Sequence, residues 1–133
     1  MKKSLILAAT LLASHAAYAV TDHYVLRDGN HVQHLKITKI DDKITASADV
    51  NFEPNANETD ARACSGEMAG EGRMESDNVL VFKQHSGSEA TSCQLKVTLS
   101  PTGAKIEQSK DCDNFVTGIC RFSSNGKELV KVK

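Results

Sequence analysis

The chain has 133 residues, with 16 Lys and Arg against 17 Asp and Glu, four cysteines and no tryptophan. That length suits one small domain. A formal charge of −1 supplies none of the basic surface that nucleic acid or an anionic membrane would require, so both are excluded as expected partners.

Met1, Lys2 and Lys3 make a basic start, residues 5–13 are a short apolar run, and Ala17-Tyr18-Ala19 is a small-residue cleavage site. Together they read as a secretory signal peptide over residues 1–19, too short and wrongly flanked for a spanning helix. Its double-lysine start looks bacterial. The leader has no cysteine to carry a lipid, so no membrane anchor is expected. Residues 20–133 then form a single mature domain, free in the periplasm or secreted. Losing Lys2 and Lys3 leaves 14 basic residues against 17 acidic ones, a net charge of −3.

Next come two runs of alternating character, residues 23–27 and 30–37, flanking Asp28-Gly29. Asp-Gly is a strong two-residue hairpin turn. That turn predicts His23 opposite His34 and Leu26 opposite His31, with Tyr24, Leu26, Leu35 and Ile37 facing inward. Asp41-Asp42 marks a second turn, before a strand over residues 44–50. Residues 51–60, with Pro54, read as a polar loop. Cys64, Gly66, Met68, Gly70 and Gly72 share one face of the next strand, and so many glycines point to a bulge or a close backbone approach. A buried strand over residues 78–83 follows. In residues 93–99 the odd positions are apolar and the even ones polar, the period of a half-buried strand. Pro101 and Gly103 signal a turn, and residues 104–108 resume the alternation. At the end, Asn125-Gly126 has the preferred composition of a type I′ turn, which predicts Phe122 opposite Leu129 and lets the last strand close against the first. The fold class expected is all-β: an antiparallel meander of about eight strands, forming a small barrel or strongly curled sheet.

Four cysteines allow three pairings, and spacing alone does not choose. The expected bridges are Cys64 with Cys93 and Cys112 with Cys120, because the second pair closes a short hairpin-like loop. On the chain-entropy model these would contribute about 3.5 and about 2.5 kcal/mol. Zinc is the rival use of the thiols, but no C-x-x-C spacing appears and an exported chain favours bridges.

Catalytic patterns are absent. There is no G-x-S-x-G, and the cysteines are spent as bridges. Glu67, Glu71, Glu75 and Asp77 fix no acid/base pair. His31 and His34 point to opposite faces of a strand. His23 and His34 meet only across the hairpin, with no obvious third ligand. The expectation is therefore no enzyme, no metal and no cofactor. The small-residue loop that begins His85-Ser86-Gly87-Ser88 is the candidate binding loop, since Ser and Gly allow close backbone approach.

A secreted chain with a Ser-Gly loop after a strand, in residues 79–88, resembles the periplasmic inhibitors of C-type lysozyme. In that family such a loop plugs the lysozyme active site. The chain lacks the family's loop tyrosine and its second, aromatic- and lysine-bearing motif. Residues 111–122, with Cys112 and Cys120, resemble a wider set of small secreted bacterial disulfide-containing β-barrels, some of which inhibit cell-wall hydrolases or protect against toxins. The resemblance implies a non-enzymatic periplasmic binder. It would inhibit another protein, such as a lysozyme-like cell-wall hydrolase or, as an immunity protein, a delivered toxin. The alternative is a small barrel holding an apolar ligand, although its interior is expected to be filled by Leu35, Ile37, Leu80, Phe82, Leu95, Val97, Leu99, Ile106 and Phe122. The protein is expected as a monomer or homodimer.

Overall fold

In the computed structural model the described residues are 19–54, 63–85, 92–114 and 120–132. Eight antiparallel strands close into one barrel in sequential order: β1 (Ala19–Asp28), β2 (His31–Ile40), β3 (Lys43–Phe52), β4 (Cys64–Ser76), β5 (Val79–His85), β6 (Ser92–Leu99), β7 (Gly103–Gln108) and β8 (Leu129–Val132), with a 3-10 helix over Lys110–Asn114 between β7 and β8. The expected meander is the observed one. Its cause is the period-two alternation, which gives every strand one face to bury. Residues 1–18, the signal peptide apart from Ala19, lie outside the described residues, as does most of the predicted polar loop.

The inward set is the predicted set. Leu35, Ile37, Leu80, Phe82, Leu95, Val97, Ile106 and Phe122 are buried in one continuous cluster, and Leu99 packs against it half-buried. Each large aliphatic or aromatic side chain so buried contributes about 1.5–3 kcal/mol. Across from Phe82 and Leu80 the lining residues are small: Ala46 and Ala48 on β3 and the glycines of β4. Large against small is how a narrow barrel is filled without voids. Gly70 is required by a close approach, because a side chain there would run into the Lys83 carbonyl of β5. The ladder between β4 and β5 also shifts register between Met74 and Ser76. The close approach that the glycines suggested is therefore present at Gly70, while the irregularity of the strand lies two to four residues past Gly72.

The two end hairpins differ from expectation. The first turn is Gly29-Asn30, with Asp28 opposite His31, Leu26 opposite Gln33 and His23 opposite Lys36. Gly29 has φ 62° and is the first central residue, the position where a type II′ turn takes glycine. The Asp-Gly reading would have asked Asp28 to enter the left-handed region, which costs more. Every partner moves by two residues, so the faces are unchanged. At the other end, Asn125 (φ 54°) and Gly126 (φ 81°) do make a left-handed turn, closed by Lys127 N–H donating to Ser124 O at 3.0 Å. Phe122 does not ladder against Leu129, however. β8 pairs with β1, as expected for chain-end closure, and with Gly103 and Ala104 of β7.

The disulfides correct the expected pairing. Cys64 is bonded to Cys120 and Cys93 to Cys112, not Cys64 to Cys93 and Cys112 to Cys120. The reason is barrel order. β5 lies between β4 and β6, and next-but-one strands are about 9–10 Å apart, beyond the ~7 Å Cα limit of a bridge. The observed bridges join Cα atoms 6.1 and 4.3 Å apart and close sequence separations of 56 and 19 residues. On the chain-entropy model they contribute about 4 and about 3 kcal/mol. All described cysteines are paired, which suits an oxidising, extracellular or periplasmic environment. No described helix is long and apolar enough to cross a membrane.

Peptide mapping without reductant should recover Cys64 with Cys120 and Cys93 with Cys112. Replacing both Cys64 and Cys120 by serine should cost about 2–5 kcal/mol in urea unfolding. Recovery of a Cys64–Cys93 peptide would contradict the strand order.

Candidate functional site

One end of the barrel collects most of the irregular chain. The β1–β2 turn, the end of β3, the starts of β4 and β6, the end of β5, the 3-10 helix and residues 120–124 all lie there. At the opposite end the described connections between strands are the short turns at Asp41-Asp42, Asp77-Asn78 and residues 100–102.

Residues 120–124 cross the near end as a strap, held from both sides by glutamines. Gln33 points inward from β2 and is 2% exposed. Its amide nitrogen lies 3.0, 3.1 and 3.2 Å from the carbonyl oxygens of Arg121, Phe122 and Ser123, so its two N–H groups are shared among three acceptors. The Gln108 side-chain oxygen accepts from Phe122 N–H at 2.7 Å and Ser123 N–H at 3.1 Å. Ser124 continues the pattern. Its N–H donates to Ile106 O at 2.9 Å, and Ile106 N–H donates to its hydroxyl at 3.0 Å. Phe122 fills the barrel mouth beneath, 1% exposed. Cys120 then fixes the start of the strap to β4.

The second anchor is built on β6. Ser109 N–H donates to Gln94 O at 2.9 Å, and Gln94 N–H donates to Ser109 Oγ at 3.0 Å. Ser109 therefore extends the ladder one residue past β7 and starts the 3-10 helix beside β6. That helix brings Cys112 onto Cys93. At the rim, Lys127 Nζ meets Asp28 at 2.8 Å and Arg121 meets Asp113 at 3.9 Å. Both pairs are exposed and worth little, although Lys127 holds the Asp28 carboxyl below its usual value.

Of the predicted binding loop, His85 is the last residue of β5, with its backbone opposite Ser92. Ser86, Gly87 and Ser88 lie outside the described residues. The connection they belong to leaves β5 and returns to β6 at the strapped end. Sequence reasoning missed Gln33 and Gln108 as the residues that organise this end. A glutamine at an inward position of an otherwise apolar face, between Tyr24's partner Leu35 and His31, was the signal available for Gln33.

A second polar cluster lies on the outer wall. His23 and His34 do meet, diagonally across β1 and β2, with His23 Nε2 3.0 Å from His34 Nδ1 and the rings stacked at 5.2 Å. His31 faces the other way, beside Phe52. Burial holds His23 below its ordinary pKa, helped by the positive fields of His34 and Lys36 and opposed by Asp49. Among the described residues no group of three or more His, Cys, Asp or Glu side chains is placed to hold a metal ion. Glu67, Glu71, Glu75 and Asp77 are exposed, the first two on the outward face of β4 as expected.

Gln33→Met would leave three carbonyls of the strap without donors and should cost about 1–3 kcal/mol, read as a lower urea midpoint. A midpoint equal to the wild type would mean the strap does not depend on Gln33. A lowered histidine pKa means that the unfolded chain binds its proton first. The stability due to His23 is therefore complete above the free value of about 6.5 and is lost as pH falls through the folded value. By NMR, His34→Ala should raise the His23 midpoint, and an unmoved midpoint would uncouple the two rings. Comparison of the chain with protein-family models, with curated proteins and with solved structures finds no match.

Proposed function

We propose that the protein is exported through a bacterial signal peptide and acts in the periplasm or medium as a non-enzymatic binder that blocks another protein. The observation that carries this reading is the convergence of both disulfides, the 3-10 helix and the glutamine-held strap at one end of the barrel. The β5–β6 connection starts and returns at that same end. Anchoring a loop between strands fixed in this way reduces the ordering cost of docking. Proteins that insert a loop into an enzyme cleft depend on that saving.

The target class follows from chemistry and resemblance. Ser86, Gly87 and Ser88 offer hydroxyls and close backbone approach to a catalytic cleft. The mature charge of −3 steers toward a basic partner. The similarity of residues 79–88 to periplasmic lysozyme inhibitors points the same way, and a delivered toxin is the other target of this kind. Apolar-ligand carriage is the less supported reading, since a ligand inside would have to displace Phe82, Leu95, Met68 and Phe122, each no more than 1% exposed.

Mature oxidised protein should capture a C-type lysozyme or another peptidoglycan hydrolase at micromolar concentration and slow its turnover. Gly87→Trp should abolish that inhibition with an unchanged melting temperature, because an indole ring prevents close approach. Full inhibition by this variant would move the contact away from the loop. A hydrolase panel that is neither bound nor slowed would sink the inhibitor reading, and an apolar molecule retained in native mass spectrometry would favour carriage.

A further inference from the structure

The outer wall of β1–β4 is an ordered array because the ladders there are unbroken. One row across the strands reads Val25, His34, Asp49, Glu67. The row beside it reads His23, Lys36, Ser47, Ala69. His23 and His34 therefore meet diagonally, with Asp49 directly opposite His34 on the next strand. Beyond Asp49 lies an open groove of about 390 Å³ lined by Asp49, Asn51, Ser65 and Glu67. Two imidazoles and two carboxylates thus occupy one continuous solvent-facing patch.

The distance between the two rings has a chemical meaning. Nitrogens bound ~2.0–2.1 Å from one cation, at the angles of square or tetrahedral coordination, lie roughly 2.8–3.4 Å apart. His23 Nε2 and His34 Nδ1 are 3.0 Å apart. In the metal-free chain one proton lies between them as a hydrogen bond. Moving that proton to the other nitrogen of the ring that carries it keeps the ring neutral and frees both facing nitrogens as lone-pair donors, which a turn of the two rings aims at one cation. The described cysteines are all consumed in disulfides, so imidazole is the softest donor left on this surface. Imidazole pairs suit copper(II) and zinc(II), and copper(II) binds a given nitrogen site more tightly.

We propose that His23 Nε2 and His34 Nδ1 form a surface site for a divalent transition cation, copper(II) above zinc(II), with the Asp49 carboxylate beside them balancing its charge. Water completes the coordination, since no third protein ligand converges with the two nitrogens. The site is an open binding site on the outer face of β1–β3. It lies on the wall of the barrel, away from the strap, so it stands or falls independently of the inhibitor reading.

The test titrates copper(II) and zinc(II) separately into mature oxidised protein. Calorimetry follows binding, and NMR follows the side-chain signals of each histidine. His23 and His34 signals should respond first, and copper(II) should bind more tightly than zinc(II). His34→Gln and His23→Gln should each weaken copper(II) binding at least about tenfold, the scale set by removing groups that support a metal site. Asp49→Asn should weaken it less, and His31→Gln should leave it unchanged. Both rings are only half-buried on the outer face, and far-UV circular dichroism checks that each variant keeps the barrel. Equal copper(II) binding by wild type, His23→Gln and His34→Gln would overturn the site and assign the cation to the chain's amino terminus or another histidine. So would absence of binding at 100-fold excess of cation, or loss of binding in His31→Gln.

Discussion

The barrel depends on how its last seam is closed. β7 and β8 share only two paired positions, at Gly103 and Ala104, the shortest ladder in the cylinder. The rest of the seam mixes backbone bonds, Lys131 N–H to Thr102 O and Ser124 N–H to Ile106 O, with side-chain bonds. Ser124 bonds to both backbone groups of Ile106, Gln108 takes two amides of the strap, and Gln33 reaches across from β2 to its carbonyls. Among the described residues no buried side-chain nitrogen or oxygen lacks a partner. A buried polar network contributes only when it is fully satisfied, and this one is. It lets a chain with no tryptophan and a short closing strand exclude water from its core at the open mouth.

The two disulfides serve the same closure. One fixes the strap to the start of β4, and the other fixes the 3-10 helix to the start of β6. Both sit where ladder hydrogen bonds run out. β4 and β5 pair only from Gly72 onward, and Ala69 N–H donates instead to the Gln84 side chain at 2.8 Å. The covalent bonds therefore hold the end at which the strands splay. The other end needs none, because its connections are two- and three-residue turns. This asymmetry gives the barrel one plain end and one built end.

Inner and outer faces carry different information. The inner face is a packing solution, with small β3 and β4 residues set against large ones on β5 and β6. The outer face of β1–β4 carries no packing duty and shows a row order of histidine, carboxylate and hydroxyl side chains, including Thr21 bonded to Thr38 at 3.1 Å. On β5, Val81 differs. It points outward yet is 4% exposed, between Arg73 and Lys96 on the neighbouring strands, where long charged stems can cover an apolar residue.

Strand number, facing and the identity of the core were legible in the residues, because alternation is a local property. The pleat turns each side chain opposite to the last whatever the strand pairs with. That is why the Asp28-Gly29 reading, two residues out in register, still put Tyr24, Leu35 and Ile37 inside. Partner choice is not local. Whether Cys64 reaches Cys93 or Cys120 depends on which strands are neighbours after closure, and loop length along the chain carries no knowledge of β5 standing between them. The same holds for Gln33, an anomaly on an apolar face until the strap is in position 88 to 90 residues later. His23 and His34 meet across one local hairpin, as their spacing suggested, and Asp49 joins their patch because the second hairpin also keeps its register. Period and composition are written residue by residue, whereas the bridges and the strap exist only once the cylinder is closed.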